Sequence, residues 1–263
     1  MSGAEEAADE GRALEAVPDV IRLIKKAAAR SDLRRRARIH LARLLEDGDL
    51  LADYPAGERR AAIFPSDYGS CALALWAEKH GLADIPRDGI DDQLARLDMG
   101  SLIGAWEACL FKAGAESEGV WFVELEYEPG RGHIDALASS PPWLVPVEFK
   151  SSYGTGAIKE PEDENPAHLL QLGDYGEQVD AKHMVLVALR PPAKAGERMK
   201  QFVRDVAPFV PLVAAERARL APALGDEAPV ADPQAAWACF TCRYAACKKN
   251  KNKNANSSEV LFA

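Results

Sequence analysis

The stretch from Gly132 to Ser152, GHIDALASSPPWLVPVEFKSS, constrains the fold more than any other part of the chain. Its two apolar runs are separated by Ser-Ser-Pro-Pro, a pattern typical of two strands joined by a turn. Because side chains alternate between the faces of a strand, Glu148 and Lys150 point to one face and Phe149 to the other. Asp135 stands near the start of the first strand. We therefore expect two carboxylates and one amine to converge.

This combination of groups suits a hard divalent cation and a phosphate substrate. Carboxylate oxygens bind Mg²⁺ or Mn²⁺ and leave coordination positions for water and a phosphate oxygen. Lys150 can position the attacking water or help to deprotonate it, and its charge offsets charge on the phosphate. The alternative is a surface ion pair, because opposite charges two residues apart are common on solvated strand faces.

The residues before this stretch complete a three-stranded antiparallel meander. In VWFVELEYE, apolar residues at 121, 123, 125 and 127 alternate with a second set, which indicates a strand with one buried face. The turn PGRG folds this strand back onto the strand of Asp135. Pro146 cannot donate to a ladder, so we expect the third strand to begin late or to bulge there.

Helices are predicted on both sides of the meander. One covers about 94–113 and ends near Gly114, and another covers 166–180 after a polar loop at 154–166. The run HMVLVALR predicts a buried strand added in parallel after this helical crossover. An earlier helix is expected over 68–80, with Ser66 or Asp67 as its N-cap, and residues 196–224 again have a helical pattern. The predicted core is an α/β fold: helix, three-strand antiparallel meander, helix, parallel strand.

Glu107 interrupts the apolar face of the helix that precedes the meander. Ile103, Leu110 and Phe111 share that face at helical spacing. A carboxylate among them is costly unless something compensates its charge, and a bound cation would do so. The alternative is that Glu107 lies at the edge of the face and reaches water.

The N-terminal region is basic although the whole chain is acidic. The formal net charge is -9, whereas the segment from Arg22 to Arg43 holds nine Lys or Arg residues and the single acid Asp32. Helices are predicted there from apolar residues at helical spacing, which are Val20, Leu23, Ile24, Ala27, Leu41, Leu44 and Leu45. The basic stripe, with Arg34, Arg35 and Arg36 at its centre, would attract DNA phosphates. The alternative is a solvated helix face paired with acids elsewhere.

The chain has no pattern of a membrane or secreted protein. No run approaches the roughly 18 apolar residues of a membrane span, and the acidic N-terminus lacks the basic and apolar regions of a signal peptide. A hydrophobic fraction of 48% and a charged fraction of 28% are typical of a globular protein. We expect a cytoplasmic protein without a membrane partner.

The five cysteines point to metal or redox chemistry, since structural disulfides are rare without secretion. Cys239, Cys242 and Cys247 form C-x2-C-x4-C, a compact set of three ligands. The fourth ligand must come from far away in sequence, and Cys71 is a better candidate than Cys109, which has the position of a small buried thiol. Sulfur ligation alone leaves both zinc and an iron-sulfur cluster open.

The order of these motifs resembles the RecB-like PD-(D/E)XK nucleases that carry an iron-sulfur cluster, above all the CRISPR-associated exonucleases and their phage-encoded relatives. A distant cysteine in PSDYGSC, an Asp followed by Glu-x-Lys, a helix with QLGDY and three C-terminal cysteines follow one another over residues 60 to 250. The resemblance implies a restriction-endonuclease-like core with N-terminal helices and a C-terminal iron-sulfur cap. It also implies a [4Fe-4S] cluster on four thiolates, namely Cys71, Cys239, Cys242 and Cys247.

The same resemblance implies roles for the residues of the meander. Asp135 and Glu148 correspond to the metal carboxylates, the carbonyl of Phe149 completes the metal site, and Lys150 corresponds to the catalytic lysine. Glu107 stands where the family usually offers a histidine ligand, so the metal preference stays open. The C-terminal cysteine spacing is one residue shorter than in the family, which leaves the type of cluster open.

Gln171 and Tyr175 match the family's Gln-x3-Tyr motif, which lies near the DNA backbone. We therefore predict a metal-dependent exonuclease for single-stranded or frayed DNA, acting in CRISPR adaptation or phage recombination. A CRISPR integrase or other DNA-processing proteins are the expected partners. The alternative is a non-catalytic DNA-binding or complex-assembly module that retains the fold.

Four regions are expected along the chain. They are a basic helical region at 1–60, a nuclease core at 61–225 that includes the Cys71 helix, the cysteine cluster at 226–250 and a disordered tail at 251–263. The tail's final Glu-Val-Leu-Phe resembles a protease-site remnant and is excluded from the argument.

Overall fold

The computed structural model of the protein describes residues 17–46, 62–82, 91–151, 157–190, 198–232, 239 and 247, without the side chains of 91–98. It divides into two compact units. The first comprises Met1–Leu51 and Met99–Val210, and the second comprises Ala52–Asp98 and Pro211–Ala263. Cys242, one of the predicted cluster ligands, lies outside the described residues.

A five-stranded sheet in the order β1-β2-β3-β4-β5 forms the centre of the first unit. Its strands are β1 (Phe122–Tyr127), β2 (Ile134–Ser140), β3 (Trp143–Ser151), β4 (His183–Leu189) and β5 (Met199–Asp205). The first three form the predicted antiparallel meander, and β4 adds to β3 in parallel, as predicted. β5 then pairs with β4 in antiparallel orientation. The fold is therefore mixed α/β.

The helices bury their apolar faces against this sheet or against each other. In chain order they are α1 (Val20–Ala29), α2 (Ser31–Glu46), α3 (Ala72–Lys79), α4 (Asp91–Glu118), α5 (Pro161–Glu164), α6 (Ala167–Gln178) and α7 (Val210–Leu220). On one face of the sheet, α1 and α4 pack against Val147 and Phe149. On the other face, α6 packs against Met184 and Leu186. The four apolar residues predicted for α1 are all buried, whereas Leu45 of α2 is 43% exposed.

Helix α4 continues to Glu118, so the predicted end near Gly114 is wrong. Gly114 lies inside the helix because α1 approaches it closely. A Cβ at this position would collide with the backbone carbonyl group of Leu23, whose carbon would be 2.9 Å away. Here the glycine permits close packing of two helices and does not end one.

The helical pattern predicted for 196–224 is wrong for its first part, which forms β5. Phe202 is buried at the centre of this edge strand, while Lys200 and Arg204 form ion pairs with Glu160. Charged side chains are common on edge strands because they discourage pairing with another chain. Their alternation with apolar residues was hidden by the helical spacing of the residues that follow.

Pro146 lies inside β3 and neither delays nor bulges it, contrary to expectation. It pairs with Leu137 of β2, but the parallel pairing with β4 begins only at Val147. At Pro146 the strand is therefore still an edge on the β4 side, where a missing N–H is tolerated.

In the second unit, helix α3 begins after a short 3-10 turn at Pro65–Asp67. The predicted N-cap is wrong: Cys71 occupies that position, and the Asp67 carboxylate accepts from the backbone N–H of Phe64. The loop before Cys71 is held by Glu216 of α7, which accepts from Gly69 N–H at 2.8 Å, and by Arg219, which donates to the Ser70 carbonyl. Among the described residues, no helix has the length and apolar character needed to span a membrane.

Candidate active site

The site begins where strands β2 and β3 separate. Their ladder runs from Ser140–Trp143 to Ala136–Val147. At the next position the carboxylate of Asp135 reaches across and accepts from the backbone N–H of Phe149 at 2.7 Å. The Asp135 side chain thus takes the place of a β2 backbone carbonyl in the ladder. This hydrogen bond holds Asp135 beside β3 at the point where the two strands separate, here called the strand fork.

Glu148 and Lys150 lie together on β3, as the alternation of side chains predicts. The Lys150 ammonium donates to Glu148 Oε1 at 2.6 Å, and the Glu148 side chain is only 3% exposed. Burial and the charges of Glu148 and Glu126 raise the pKa of Asp135 well above its ordinary value, against the opposing effect of Lys150. Burial alone would lower the pKa of Lys150, but the charges of Glu148 and Asp135 outweigh it and raise that pKa. Two carboxyl groups and one ammonium therefore share one electrostatic environment.

Helix α6 supplies the wall of this site. Gln171 Nε2 donates to Glu148 Oε1 at 3.1 Å and to the Tyr175 hydroxyl at 3.2 Å. Tyr175 is 2% exposed, and burial and the Glu148 charge raise the pKa of its phenol. Of the predicted Gln-x3-Tyr motif, Gln171 thus contacts Glu148 directly and Tyr175 contacts Gln171. The hydrogen bond from Gln171 orients the Glu148 carboxylate, and Tyr175 holds Gln171.

One oxygen of Glu148 remains available for a ligand. Glu148 Oε2 is buried and has no hydrogen-bond partner among the described residues. A buried acceptor without a partner is costly, and a divalent cation or a donor on a substrate would remove that cost. The residues Asp135 and Glu148 supply the hard oxygen ligands that Mg²⁺ and Mn²⁺ prefer.

Glu107 is half-buried in α4 and is not grouped with these two acids. Its Oε2 atom is buried without a hydrogen-bond partner among the described residues, and burial raises the pKa of this carboxyl to about 7. One turn earlier, Gly104 passes close to Phe149: a Cβ there would stand 3.7 Å from the Phe149 carbonyl oxygen. In the described part of the chain, no three His, Cys, Asp or Glu side chains already form a metal-binding group. The role of Glu107 as a third ligand stays a prediction.

The cysteines of the second unit are free thiols where the structure describes them. Cys71 and Cys247 are buried, and Cys239 is half-buried. Cys109 belongs to the first unit, where burial raises the pKa of its thiol to about 12. It is the inert buried cysteine expected from its position in α4.

The predicted DNA-contacting arginines differ in their surroundings. Arg35 and Arg36 are exposed and have no ion-pair partner among the described residues. Arg34 is half-buried and donates to the Ala28 carbonyl at 2.5 Å. Other members of the basic stripe are paired, since Arg22 and Lys26 both contact Glu118 at 2.6 and 2.9 Å. Only part of the stripe is therefore free to meet phosphates.

Sequence reasoning left two features of the site without a role. His168 lies one turn before Gln171 on the same face of α6, and the charge of Lys150 reaches its imidazole. Arg131, in the β1–β2 turn, donates to the fully buried Asp174 at 3.3 Å. The i, i+3, i+7 spacing of His168, Gln171 and Tyr175 was the signal for the first. A turn arginine gives no comparable signal.

Comparisons with known proteins identify no family. No protein-family model matches the sequence, and no curated protein matches it. Among solved structures, the crystal structure of SSO0001 superposes with a TM-score of 0.46 and 16% sequence identity, covering 81% of this chain and 96% of that chain. A likeness at this level carries no conclusion about function.

Proposed function

We propose that this protein is a metal-dependent deoxyribonuclease of the PD-(D/E)XK type that hydrolyses phosphodiester bonds in single-stranded or frayed DNA. The observation that carries the proposal is the group of Asp135, Glu148 and Lys150 at the strand fork, where Glu148 Oε2 is buried without a hydrogen-bond partner from the described part of the chain. Lys150 and Gln171 both bind the same oxygen of Glu148, which leaves the other oxygen for a cation.

In this proposal, Asp135, Glu148 and the Phe149 carbonyl would hold Mg²⁺ or Mn²⁺, with Glu107 as the expected additional ligand. The cation would polarise a phosphate oxygen and lower the pKa of a water. The water oxygen bonds to phosphorus as the bond from phosphorus to the sugar oxygen breaks. One water proton ends on the sugar hydroxyl, and the other is released to the terminal phosphate or to solvent. The chain's own task is to orient these groups and to offset the charge that develops.

Lys150 acts as a cation in this mechanism. Without a metal, the charges of Glu148 and Asp135 raise the pKa of Lys150 against the effect of burial. An ammonium group donates hydrogen bonds to the attacking water and to the phosphate and cannot accept a proton from either. Gln171 and Tyr175 keep the Glu148 carboxylate in place.

We also propose that Cys71, Cys239, Cys242 and Cys247 hold an iron-sulfur cluster in the second unit. Four thiolates are a suitable donor set for such a cluster, and the described members are unpaired. The hydrogen bonds of Glu216 and Arg219 to the backbone before Cys71 hold this loop in place before any cluster binds. The cluster would link this loop to the C-terminal cysteines.

The test is cleavage of single-stranded DNA labelled at either end, with Mg²⁺, Mn²⁺ or EDTA. We expect metal-dependent shortening from one end by the wild type and a loss of roughly 1,000-fold or more in Lys150→Ala, since the lysine offsets transition-state charge. A melting curve of the variant controls for folding. Absence of cleavage with every metal would overturn the proposal.

A non-catalytic DNA-binding module is the competing function. It requires the fold and the basic stripe but no bound cation. Such a module would bind labelled DNA equally well with and without Lys150 and cleave it in neither form. The same two proteins therefore separate the two functions.

A further inference from the structure

His168 is a titratable side chain on the wall of the site that the mechanism does not use. It shares a face of α6 with Gln171 and Tyr175, three and seven residues later. Since Gln171 contacts Glu148, this face of α6 lies toward Glu148 and Lys150 of β3. His168 stands one turn nearer the N-terminus of the helix, where the electrostatic effect of Lys150 reaches it.

The tautomer of His168 is fixed by Asn165. The backbone N–H of Ala167 donates to Asn165 Oδ1 at 3.3 Å, which turns the Asn165 amide nitrogen toward His168. That nitrogen lies 3.0 Å from His168 Nε2, and because it can only donate, Nε2 must accept. Burial and the charge of Lys150 lower the pKa of His168 to about 3, so the ring is neutral. The single ring proton is therefore on Nδ1.

This arrangement limits what the imidazole can do. A metal ligand needs a free nitrogen lone pair, but the Nε2 lone pair is used and Nδ1 carries a proton. A general base needs the same lone pair. What remains is an N–H donor on Nδ1, which no described residue accepts. Such a donor beside an ammonium group suits an anionic oxygen of a phosphate.

We propose that His168 is a substrate-contacting residue whose Nδ1–H donates to a non-bridging oxygen of the phosphate at the scissile bond, with Asn165 holding the ring in that tautomer. Lys150 and His168 then contact the phosphate together, one with a charge and one with a directed neutral donor. This inference rests on the proposed nuclease function and adds the phosphate contact to it.

The test compares three substitutions that differ in where they offer a donor. In His168→Asn the amide nitrogen takes the place of Nδ1, in His168→Gln it takes the place of Nε2, and His168→Ala offers none. The measurements are the single-turnover cleavage rate with Mn²⁺ and the affinity for a fluorescein-labelled single strand in EDTA. His80→Ala, at the C-cap of α3 in the other unit, is the matched histidine control.

We expect His168→Ala and His168→Gln to lose roughly 10- to 100-fold in cleavage rate, the usual effect of removing a hydrogen bond to a charged group. His168→Asn should stay within about threefold of the wild type, because a side-chain amide can donate from the same place. His80→Ala should match the wild type. Asn165→Ala should lower the rate less than His168→Ala, since the ring can still adopt the right tautomer.

A pH profile separates this role from general-base catalysis. Because His168 is neutral throughout this range, the cleavage rates of the wild type and of His168→Asn should change with pH in the same way between about pH 5 and 9. Loss of the acid limb in His168→Asn would contradict the proposal.

The two possible failures give different results. If the wild type cleaves DNA and His168→Ala cleaves and binds it equally well, the inference is wrong and the nuclease function stands. If the wild type cleaves no DNA, the proposed function fails and the inference fails with it.

Discussion

Glu107 is a half-buried acid of α4 whose buried Oε2 atom has no hydrogen-bond partner among the described residues. Burial raises the pKa of its carboxyl to about 7, from an ordinary value of 4.5. Below that ordinary value the group is protonated in both the folded and the unfolded chain. As pH rises from 4.5 to 7, the unfolded chain loses this proton and the folded protein keeps it, so folding stability falls. Well above pH 7 the folding stability has fallen by its full amount and no longer changes with the ionisation of Glu107.

We therefore expect Glu107→Gln to stabilise the protein at high pH. The variant should match the wild type near pH 4.5 and exceed it at pH 8 by up to about 3 kcal/mol, at about 1.4 kcal/mol per unit of pKa shift. Urea unfolding at the two pH values measures the difference, without divalent metal. Glu124→Gln, at an exposed position of β1, is the control and should show no such dependence. A destabilised Glu107→Gln at pH 8 would mean that the carboxylate has a favourable partner.

The site residues of β3 could be predicted because strand alternation alone places Glu148 and Lys150 on one face. The position of Asp135 could not be predicted from alternation alone, since its carboxylate replaces a backbone carbonyl of the ladder where β2 and β3 separate. The spacing of His168, Gln171 and Tyr175 indicates a shared helix face, but the proposed phosphate contact of His168 could not be predicted from it. That proposal depends on the orientation of the Asn165 amide, which a sequence does not specify.

At the scale of elements, two of the three glycines of α4 have opposite requirements. At Gly114 a Cβ would collide with the Leu23 carbonyl of α1, whereas at Gly104 a Cβ would stand at ordinary contact distance, 3.6 Å from the Phe149 Cβ. Alanine favours a helix interior over glycine by about 1 kcal/mol at either position. The collision at Gly114 outweighs this gain because backbone cannot move aside as a side chain can.

Substitution at these glycines should therefore have opposite signs. Gly114→Ala should lower the free energy of unfolding by about 1 to 3 kcal/mol, as overpacking does, and Gly104→Ala should leave it unchanged or raise it by up to about 1 kcal/mol. Thermal and urea unfolding of the pair measure both effects. Equal stability of the two variants would show that α1 can shift away from α4 at little cost.

The order of elements in the meander and its crossover could be predicted because alternating and helical periods are distinct over those residues. Two elements were missed or misplaced for local reasons. β5 has charged residues between its apolar ones and runs into the helix α7, so its period of two was obscured. Cys71, and not Ser66 or Asp67, precedes α3 because a separate 3-10 turn intervenes.

At the scale of the whole molecule, the proposed cluster predicts the iron and sulfide content of the purified protein. The purified protein should contain about four iron and four sulfide per chain and absorb near roughly 400 nm. Cys71→Ser should lose most of this iron, whereas Cys109→Ser should keep it, because Cys109 is a buried thiol of the other unit. A colourless protein with one zinc per chain would replace the iron-sulfur proposal with a structural zinc site.

The unpaired part of the basic stripe predicts how the proposed DNA binding would depend on salt concentration. Arg35, Arg36 and Arg38 are exposed without ion-pair partners among the described residues. Replacing all three with alanine should reduce the slope of log K against log salt by about 2, at roughly 0.7 per phosphate contact on a single strand. Arg30→Ala should leave the slope unchanged, because Arg30 pairs with Asp32 at 2.8 Å. An unchanged slope in the triple variant would place the DNA elsewhere.

The central claim is that Glu148 binds the cation on which DNA hydrolysis depends. The most direct measurement is the rate at which a labelled single strand is cut with Mn²⁺ by the wild type, by Glu148→Gln and by the surface control Glu124→Gln. We predict that the wild type and Glu124→Gln cut at equal rates that EDTA abolishes, and that Glu148→Gln is slower by roughly 1,000-fold or more. Equal rates for Glu148→Gln and the wild type, or cutting that persists in EDTA, would contradict the account.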